Sequence, residues 1–372
     1  MTYNKAIVND SDGWASCVST KYDFVGNVTG TLESHTSPAG KTNTVKTLRT
    51  LDRRGVVLRE EIYADGGLLT STGYIYDELM RPVGKSTGSV SETFAYDIRG
   101  WQTGHAADRD SDRIYSETLR YMTLPEGSGS VARWTGLISE SETQQYGPIP
   151  AHSDSYVYDA IGRLTSSKQE NNISYDANGN VRSLRRISAT GEEIIADLTM
   201  SYRDNNRGNR LASVTNTGTE DKGTFTYTYD SSGNLTSDGR NLLEIQNNVL
   251  NLPMRVEQSS TGTSAGTMGG TMTYTYLGDG TRAAARAGTD AGANAGATSY
   301  AGKRYRGTFV YDVTAGGVQS LESIAVNTGR LIALTGTNGA VSFESDGFIT
   351  DHLGNVAVCN GKDNNSSKRR IQ

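Results

Sequence analysis

The chain has 372 residues, 36 basic and 41 acidic side chains for a formal net charge of −5, 35% hydrophobic residues, and 43 glycines and 20 tyrosines against 6 phenylalanines and 6 prolines. This slight acidity excludes the basic footprint of a nucleic-acid binder, and no run approaches the ~20 apolar residues of a membrane-spanning helix. Apolar content below the ordinary globular range argues against one thick core and for a thin sheet with one packed face and one wet face.

In chain order, the opening segment MTYNKAIVNDSDGW lacks the apolar core of a signal peptide. Either the chain stays inside the cell or this start is not the native start of the full protein. The stretch from Met1 to about Asp52 holds the first clear copy of a returning phrase, YDFVGNVT at Tyr22, and a polar loop from Ser34 to Asn43. Residues 56–104 read as strand pairs, with Asp65-Gly66 as a tight-turn signal. Residues 105–155 are the least regular part, with Pro125, Pro148 and Pro150, and read as an excursion anchored by Trp101 and Trp134. Residues 156–256 are the most regular, with YDAIGRLT at Tyr158, YDANGNVR at Tyr175 and YDSSGNLT at Tyr229. Around Glu192–Arg203 the pattern fits a helix or a strand. Residues 284–299, rich in Gly and Ala, bury too little to order themselves and read as a flexible loop. Residues 359–372 read as a polar, disordered tail.

Weaker copies of the phrase start at Tyr76, Tyr96, Tyr276 and Tyr311. Self-similarity of this kind means that one supersecondary unit is stacked many times. Within a copy, the tyrosine follows another aromatic or apolar residue by two positions, as in Tyr74 and Tyr76 or Tyr227 and Tyr229, so both lie on one face of a strand. The Asp can accept a backbone hydrogen bond as in an Asx-turn. The Gly four residues after the Tyr supplies a positive φ, and pairs such as Asn180-Val181 begin the return strand. The unit is a β-hairpin with a four- or five-residue turn, and each Tyr-Asp is expected to end a strand.

These phrases resemble the YD repeats of the RHS (rearrangement hot spot) proteins. GNRLASV at Gly208, NNVLNLPMRV at Asn247, GTFVYD at Gly307 and DHLGNV at Asp351 resemble the RHS repeat-associated core region in its Bacteroidetes-like form. The resemblance runs from about Tyr22 to Val356. It implies an all-β fold: a YD-repeat array of β-hairpins, residues 1–358, winding into part of a cocoon-like β-shell. In bacterial relatives such a shell can enclose a variable C-terminal toxin, and in animal relatives the repeats belong to cell-surface adhesion proteins. The family's self-cleaving aspartates fall beyond the last residue, so none is carried over, and the chain reads as truncated at its C-terminus. The implied partners are the missing C-terminal core and toxin segments, and the implied location of the parent is secreted or cell-surface.

The search for chemistry is negative. His35, His105, His152 and His352 are dispersed and none has metal-ligand spacing. His352 lies inside a family phrase, but a packed or hydrogen-bonded role at a strand turn is favoured over catalysis. The repeat aspartates are too sparse for calcium loops, and the Gly-rich SAGTMGGTM lacks the P-loop Lys. Cys17 and Cys359 stand at opposite ends, and two unpaired thiols are preferred to a bridge. The sequence therefore predicts no catalytic, cofactor-binding or metal-binding residue and no cofactor. It leaves two functions: a structural shell segment, or a carbohydrate-binding adhesion module built on the repeat tyrosines.

Overall fold

The computed structural model describes residues 3–9, 13–147, 149–258, 270–288, 301–336 and 339–360. Their strands, from β1 (Tyr3–Asn9) to β30 (Val356–Asn360), form a meander in which sequence neighbours pair antiparallel. β1 to β12 (His152–Ser155) make a 12-stranded sheet. The short hairpin of β13 (Val157–Tyr158) and β14 (Leu164–Ser166) follows it, and β15 (Glu170–Tyr175) to β30 make a 16-stranded sheet. The protein is all-β, with long sheets that do not close on themselves through backbone hydrogen bonds.

The strands end where the repeat phrase says. β2 (Ala15–Tyr22), β6 (Gly67–Tyr76), β8 (Val90–Tyr96) and β15 all stop on the repeat tyrosine. The return strand begins at the aliphatic residue, as in β3 (Val28–Thr36) and β16 (Val181–Ile187), so Asn27 and Asn180 belong to the turn rather than the strand. Asp65 and Gly66 form the expected two-residue turn, with φ of 46° and 88°.

Several expectations are corrected. The 105–155 excursion shrinks to residues 121–139, because β9 (Gln102–Arg109), β10 (Asp112–Arg120), β11 (Glu140–Gln145) and β12 occupy most of it. Its alternation was masked because the buried face carries polar residues, His105 and Glu117, beside Ala107, Tyr115 and Leu119. Residues 194–202 are strand β17 (Ile194–Tyr202); the one-turn segment Arg203–Asn206 after it has left-handed φ at Asp204 and Asn205. The small-residue stretch begins inside β24 (Arg282–Gly288), where Ala283, Ala284 and Ala285 are buried; residues 289–299 lie outside the described residues. Cys359 belongs to β30, and residues 361–372 lie outside the description. Tyr311-Asp312 does not end a strand: β26 (Phe309–Val313) runs through it, because its glycines come later and Thr314 takes the Asp role, with its Oγ1 accepting from Val318 N–H at 3.2 Å.

The packed core sits where the chain returns over its own beginning. Trp14, Val45, Ile62 and Ala64 of the first sheet cluster with Phe309, Tyr311, Leu321, Ile324 and Leu331 of the last strands. Farther along, Val90, Ala107 and Tyr115 cluster with Ile349. The order is preserved across the two layers. β26 meets β3 and β4 (Thr42–Leu51) through His35–Phe309 and Asn43–Tyr311 contacts. The turn after β27 (Gln319–Val326) meets β5 (Val57–Ala64) through Asn327 and Glu60. The turn after β29 (Val341–Thr350) meets β10 through His352, and β30 meets β11 through Gln145 and Ala357. A sheet folded back like a hairpin would reverse this order. A preserved order is that of a ribbon that winds round and overlaps its own start.

Candidate functional site

Two built features stand out: a ladder of identical turns along one margin of the ribbon, and the seam between the overlapping layers. In a meander every second connection lies on the same margin, and the Asp-x-x-Gly turns after β2, β4 and β8, with the Asp-x-x-Met turn after β6, occupy those positions.

The turn at Asp176 shows the construction. Asp176 N–H donates to Asn180 C=O at 2.9 Å, and Gly179 N–H donates to Asp176 C=O at 3.1 Å. Asp176 Oδ1 accepts from the N–H groups of Asn178 and Asn180, both at 2.9 Å, and Oδ2 accepts from Asn180 Nδ2 at 2.9 Å. Gly179 sits at φ 87°, in the left-handed region. A bulge follows, since pairing shifts register between Ser174 and Tyr175. The same Oδ2 contact is made by Asn27 to Asp23, Arg81 to Asp77, Arg163 to Asp159, Asn234 to Asp230 and Asn355 to Asp351. Degenerate copies keep the shape: Met80 and Asn251 take the glycine position at φ 65° and 60°.

These bonds hold the carboxyls of Asp23, Asp77, Asp159, Asp176 and Asp230 below the ordinary aspartate value. The side-chain bond from Asn27, Asn180 or Asn234 is the main cause for Asp23, Asp176 and Asp230. The backbone N–H of Arg81 or Arg163 is the main cause for Asp77 and Asp159.

The tyrosines connect one turn to the previous one, a role that sequence reading missed. Tyr175 Oη donates to Leu164 C=O at 2.6 Å, Tyr76 to Val57 C=O at 2.9 Å, Tyr96 to Pro82 C=O at 2.9 Å, and Tyr202 to Val181 C=O at 2.8 Å. Each acceptor lies at the start of the preceding return strand. Phenylalanine could not make this bond, and the 20-to-6 excess of Tyr over Phe was the signal in the sequence. The Asn or Arg of one turn also reaches the next: Arg81 Nη1 donates to Asp97 C=O at 3.1 Å while its guanidinium lies 4.8 Å from the Tyr96 ring centre. Arg163 does the same to Asp176 C=O at 3.3 Å and to the Tyr175 ring. Hydroxyls and ring faces committed in this way leave the repeat tyrosines poor platforms for a sugar.

At the seam, the carboxylates of Glu33, Glu60 and Glu117 in the first sheet receive donors from the turns of the last strands, while Glu92 beside them is paired within its own sheet. Glu33 accepts from Thr308 N–H at 3.1 Å and Oγ1 at 2.9 Å, and is joined to His35 at 2.8 Å. Gly307 allows this approach, since a Cβ there would fall 1.9 Å from the Glu33 carboxylate. Glu60, 3% exposed, accepts from Asn327 Nδ2 at 3.0 Å and Arg49 Nε at 2.8 Å. Glu117, also 3% exposed, accepts from His352 N–H at 3.1 Å and pairs with its Nδ1 at 2.7 Å. Glu92 pairs with His105 at 3.0 Å and Lys85 at 2.7 Å. Burial pushes the Glu33 and Glu92 carboxyls up; the bonds from His35 and Thr308, and from His105 and Lys85, outweigh it and hold both below the ordinary range.

His352 is therefore a clamp between layers, His35 and His105 lie beside seam carboxylates, and His152 is exposed on β12. Among the described residues no cluster of His, Cys, Asp or Glu could hold a metal ion, and no helix is long and apolar enough to cross a membrane. Cys17 and Cys359 are both free.

No family model and no curated protein matches the chain. Among solved structures it is similar to one titled "Crystal Structure of TcdB2-TccC3-Cdc42", with 12% identity and a TM-score of 0.39, over 96% of this chain and 23% of that one. It is also similar to a Photorhabdus luminescens Tc holotoxin pore, with 12% identity and a TM-score of 0.23, over 93% of this chain and 27% of that one. A porin-like protein from Bacteroides uniformis shares 11% identity with a TM-score of 0.23, over 75% of this chain and 91% of that one. The chain spans about a quarter of the length of the first two.

Proposed function

We propose that this chain is a wall segment of an RHS-type β-shell, a non-catalytic structural element of a secreted or surface-delivered protein whose shell encloses or carries a C-terminal effector. The observation that supports this most is the preserved strand order at the seam, with β26 over β3 and β4 and β30 over β11. A ribbon that coils past its own start builds a curved wall, whereas its chemistry is used internally: repeat carboxylates on turn N–H groups, tyrosine hydroxyls on neighbouring carbonyls, histidines on seam glutamates. The RHS-like phrases support this reading, and two of them, GTFVYD and DHLGNV, lie at the seam. DHLGNV forms the β29–β30 turn that clamps Glu117. Its partners on this reading are the remaining core and effector segments of the parent protein.

Cryo-electron microscopy of the full-length protein that carries this segment tests the reading. A curved single-layer wall around a lumen is expected, with residues 301–360 lying over residues 14–145. A flat ribbon, or a barrel whose interior is filled by side chains, would contradict it.

A further inference from the structure

Each repeat turn is built by its aspartate, its glycine and the residue four after the aspartate. The two residues that follow the aspartate form the tip. At Asp176 and Asp230 the tips read Ala177-Asn178 and Ser231-Ser232, small and polar as suits a loop in water. In the first sheet the tips are of another kind. The turns at Asp23, Asp52, Asp77 and Asp97 carry Phe24-Val25, Arg53-Arg54, Glu78-Leu79 and Ile98-Arg99: four apolar residues, three arginines and one acid. Phe24 is 97% exposed and Ile98 96%, and Val25 and Leu79 are exposed with them. Single exposed apolar side chains are ordinary on a surface, but these recur at one structural position. Ile161 and Val249 hold tip positions in the turns at Asp159 and Asn248 and are exposed as well.

The four turns of the first sheet lie on one margin, at every second connection, so successive tips stand about 10 Å apart. The connection after β10 falls on the same margin and adds the exposed Trp134, with the Arg99 guanidinium 5.6 Å from its ring centre. The charges are sorted along this margin. The turn carboxylates face inward: Asp23 Oδ1 accepts from the N–H groups of Val25 and Asn27, and Asp97 Oδ1 from those of Arg99 and Trp101. The arginines are exposed at the tips. Arg54 holds Asp52 through Nε and Arg99 reaches Met122 through Nη1. A guanidinium has five N–H donors, so each keeps others for an outside acceptor.

We propose that this margin lies on a phospholipid bilayer, with the apolar tips inserted just below the headgroups and the arginines on headgroup phosphates. Convex tips set apart from one another would each need a separate pocket in a folded partner, whereas a fluid apolar phase needs none. Apolar side chains level with arginine and tryptophan are the composition that the bilayer interface selects, and guanidinium and phosphate are matched in charge and geometry. The bilayer is touched, not spanned. The net charge of −5 sits mostly away from the tips, and charges more than about 10 Å from the surface are screened at physiological ionic strength. This inference stands on the turn tips alone and does not depend on the shell reading.

The test uses the intact chain with vesicles of phosphatidylcholine and phosphatidylserine, read by co-sedimentation and by quenching of tryptophan fluorescence with brominated acyl chains. Half-binding at about 0.1 mM lipid is expected, the strength of one acyl anchor. Quenching should fall on Trp134, since Trp14 is buried. Phe24→Ser and Ile98→Ser should each weaken binding about tenfold and Arg53→Ser about fivefold. All three should leave the thermal midpoint unchanged, because exposed tip side chains add little to folding. Leu68→Ser, at an exposed leucine beside the Asp65-Gly66 turn on the opposite margin, should not alter binding. Absence of binding, binding without quenching, tip variants that bind normally, or an equal loss with Leu68→Ser would overturn the proposal. So would tip variants that break up a soluble oligomer while vesicles stay unbound, which would assign the row to a second copy of the chain.

Discussion

At the scale of single residues, the repeat turn depends on one backbone conformation and one carboxylate. Gly179 has φ 87° and a Cβ there would meet no atom within 4 Å, so substitution tests the backbone without a clash. Gly179→Val should cost on the order of 1–3 kcal/mol, whereas Ala177→Val, at an exposed position of the same turn, should stay within roughly 0.5 kcal/mol. Denaturant melts of both variants check the contrast, and equal losses would deny the glycine its turn role. Tyr175→Phe leaves the ring and removes the bond to Leu164 C=O, which should cost about 0.5–1.5 kcal/mol; an unchanged midpoint would mean that the inter-turn bond contributes nothing. The carboxylates also set an acid limit. Asp23, Asp77, Asp159, Asp176 and Asp230 all titrate below the ordinary 3.8 when folded. A folded value lower than the unfolded one gives stability that is complete above about pH 5 and is lost as pH falls through 3.8 and below. Glu33 and Glu92 act in the same direction at the seam. Melting temperature should hold between pH 5 and 7 and fall below about pH 4; a rise on acidification from 5 to 3 would contradict the assignment.

At the scale of elements, the hairpin was legible because its signals are local. Tyr-Asp, the Gly three residues after the Asp, and the aliphatic restart all act within one turn, and strand ends at Tyr22, Tyr76, Tyr96 and Tyr175 follow them. What could not be read depends on partners distant in sequence. β10 looked irregular because Glu117 interrupts its apolar alternation, and the partner of that buried glutamate, His352, comes from 235 positions away. The alanines of β24 looked like a loop because small side chains carry no periodic signal, yet they are buried in a sheet. The Tyr311 copy misled because it keeps Tyr-Asp but moves its glycines, which lets β26 continue. The seam yields a further prediction at this scale. Ile349 is 2% exposed and packs against Val90, Ala107 and Tyr115. Ile349→Ala should destabilise by about 2–5 kcal/mol. Leu353→Ala, at a turn tip that is 75% exposed, should change little. A mild Ile349→Ala would mean that the layers do not share a core.

At the scale of the whole molecule, the described strands make a ribbon whose stability is unevenly distributed. Both clusters of buried residues span the overlap, while most of the strands between the two packed regions lie in a single layer held by turn ladders and tyrosine bonds. Nearest-neighbour pairing of this kind gives repeat-like energetics, in which each hairpin depends chiefly on those beside it. β1 and β30 each have only one paired neighbour, and such edges are sites of association. The overlap is what turns a chain of local hairpins into a wall, and it makes the winding the central claim. Glu117 on β10 and His352 after β29 are about 19 strand positions apart, which at ~4.8 Å per strand would be roughly 90 Å in a ribbon laid flat. Pulsed electron paramagnetic resonance between spin labels at Asp112 and Leu353, with Cys17 and Cys359 replaced by serine, measures this separation directly. The wound structure predicts one narrow distance population within about 30 Å, allowing for the few residues of strand between Asp112 and the clamp. A broad distribution, or a separation approaching the flat-ribbon value, would contradict it.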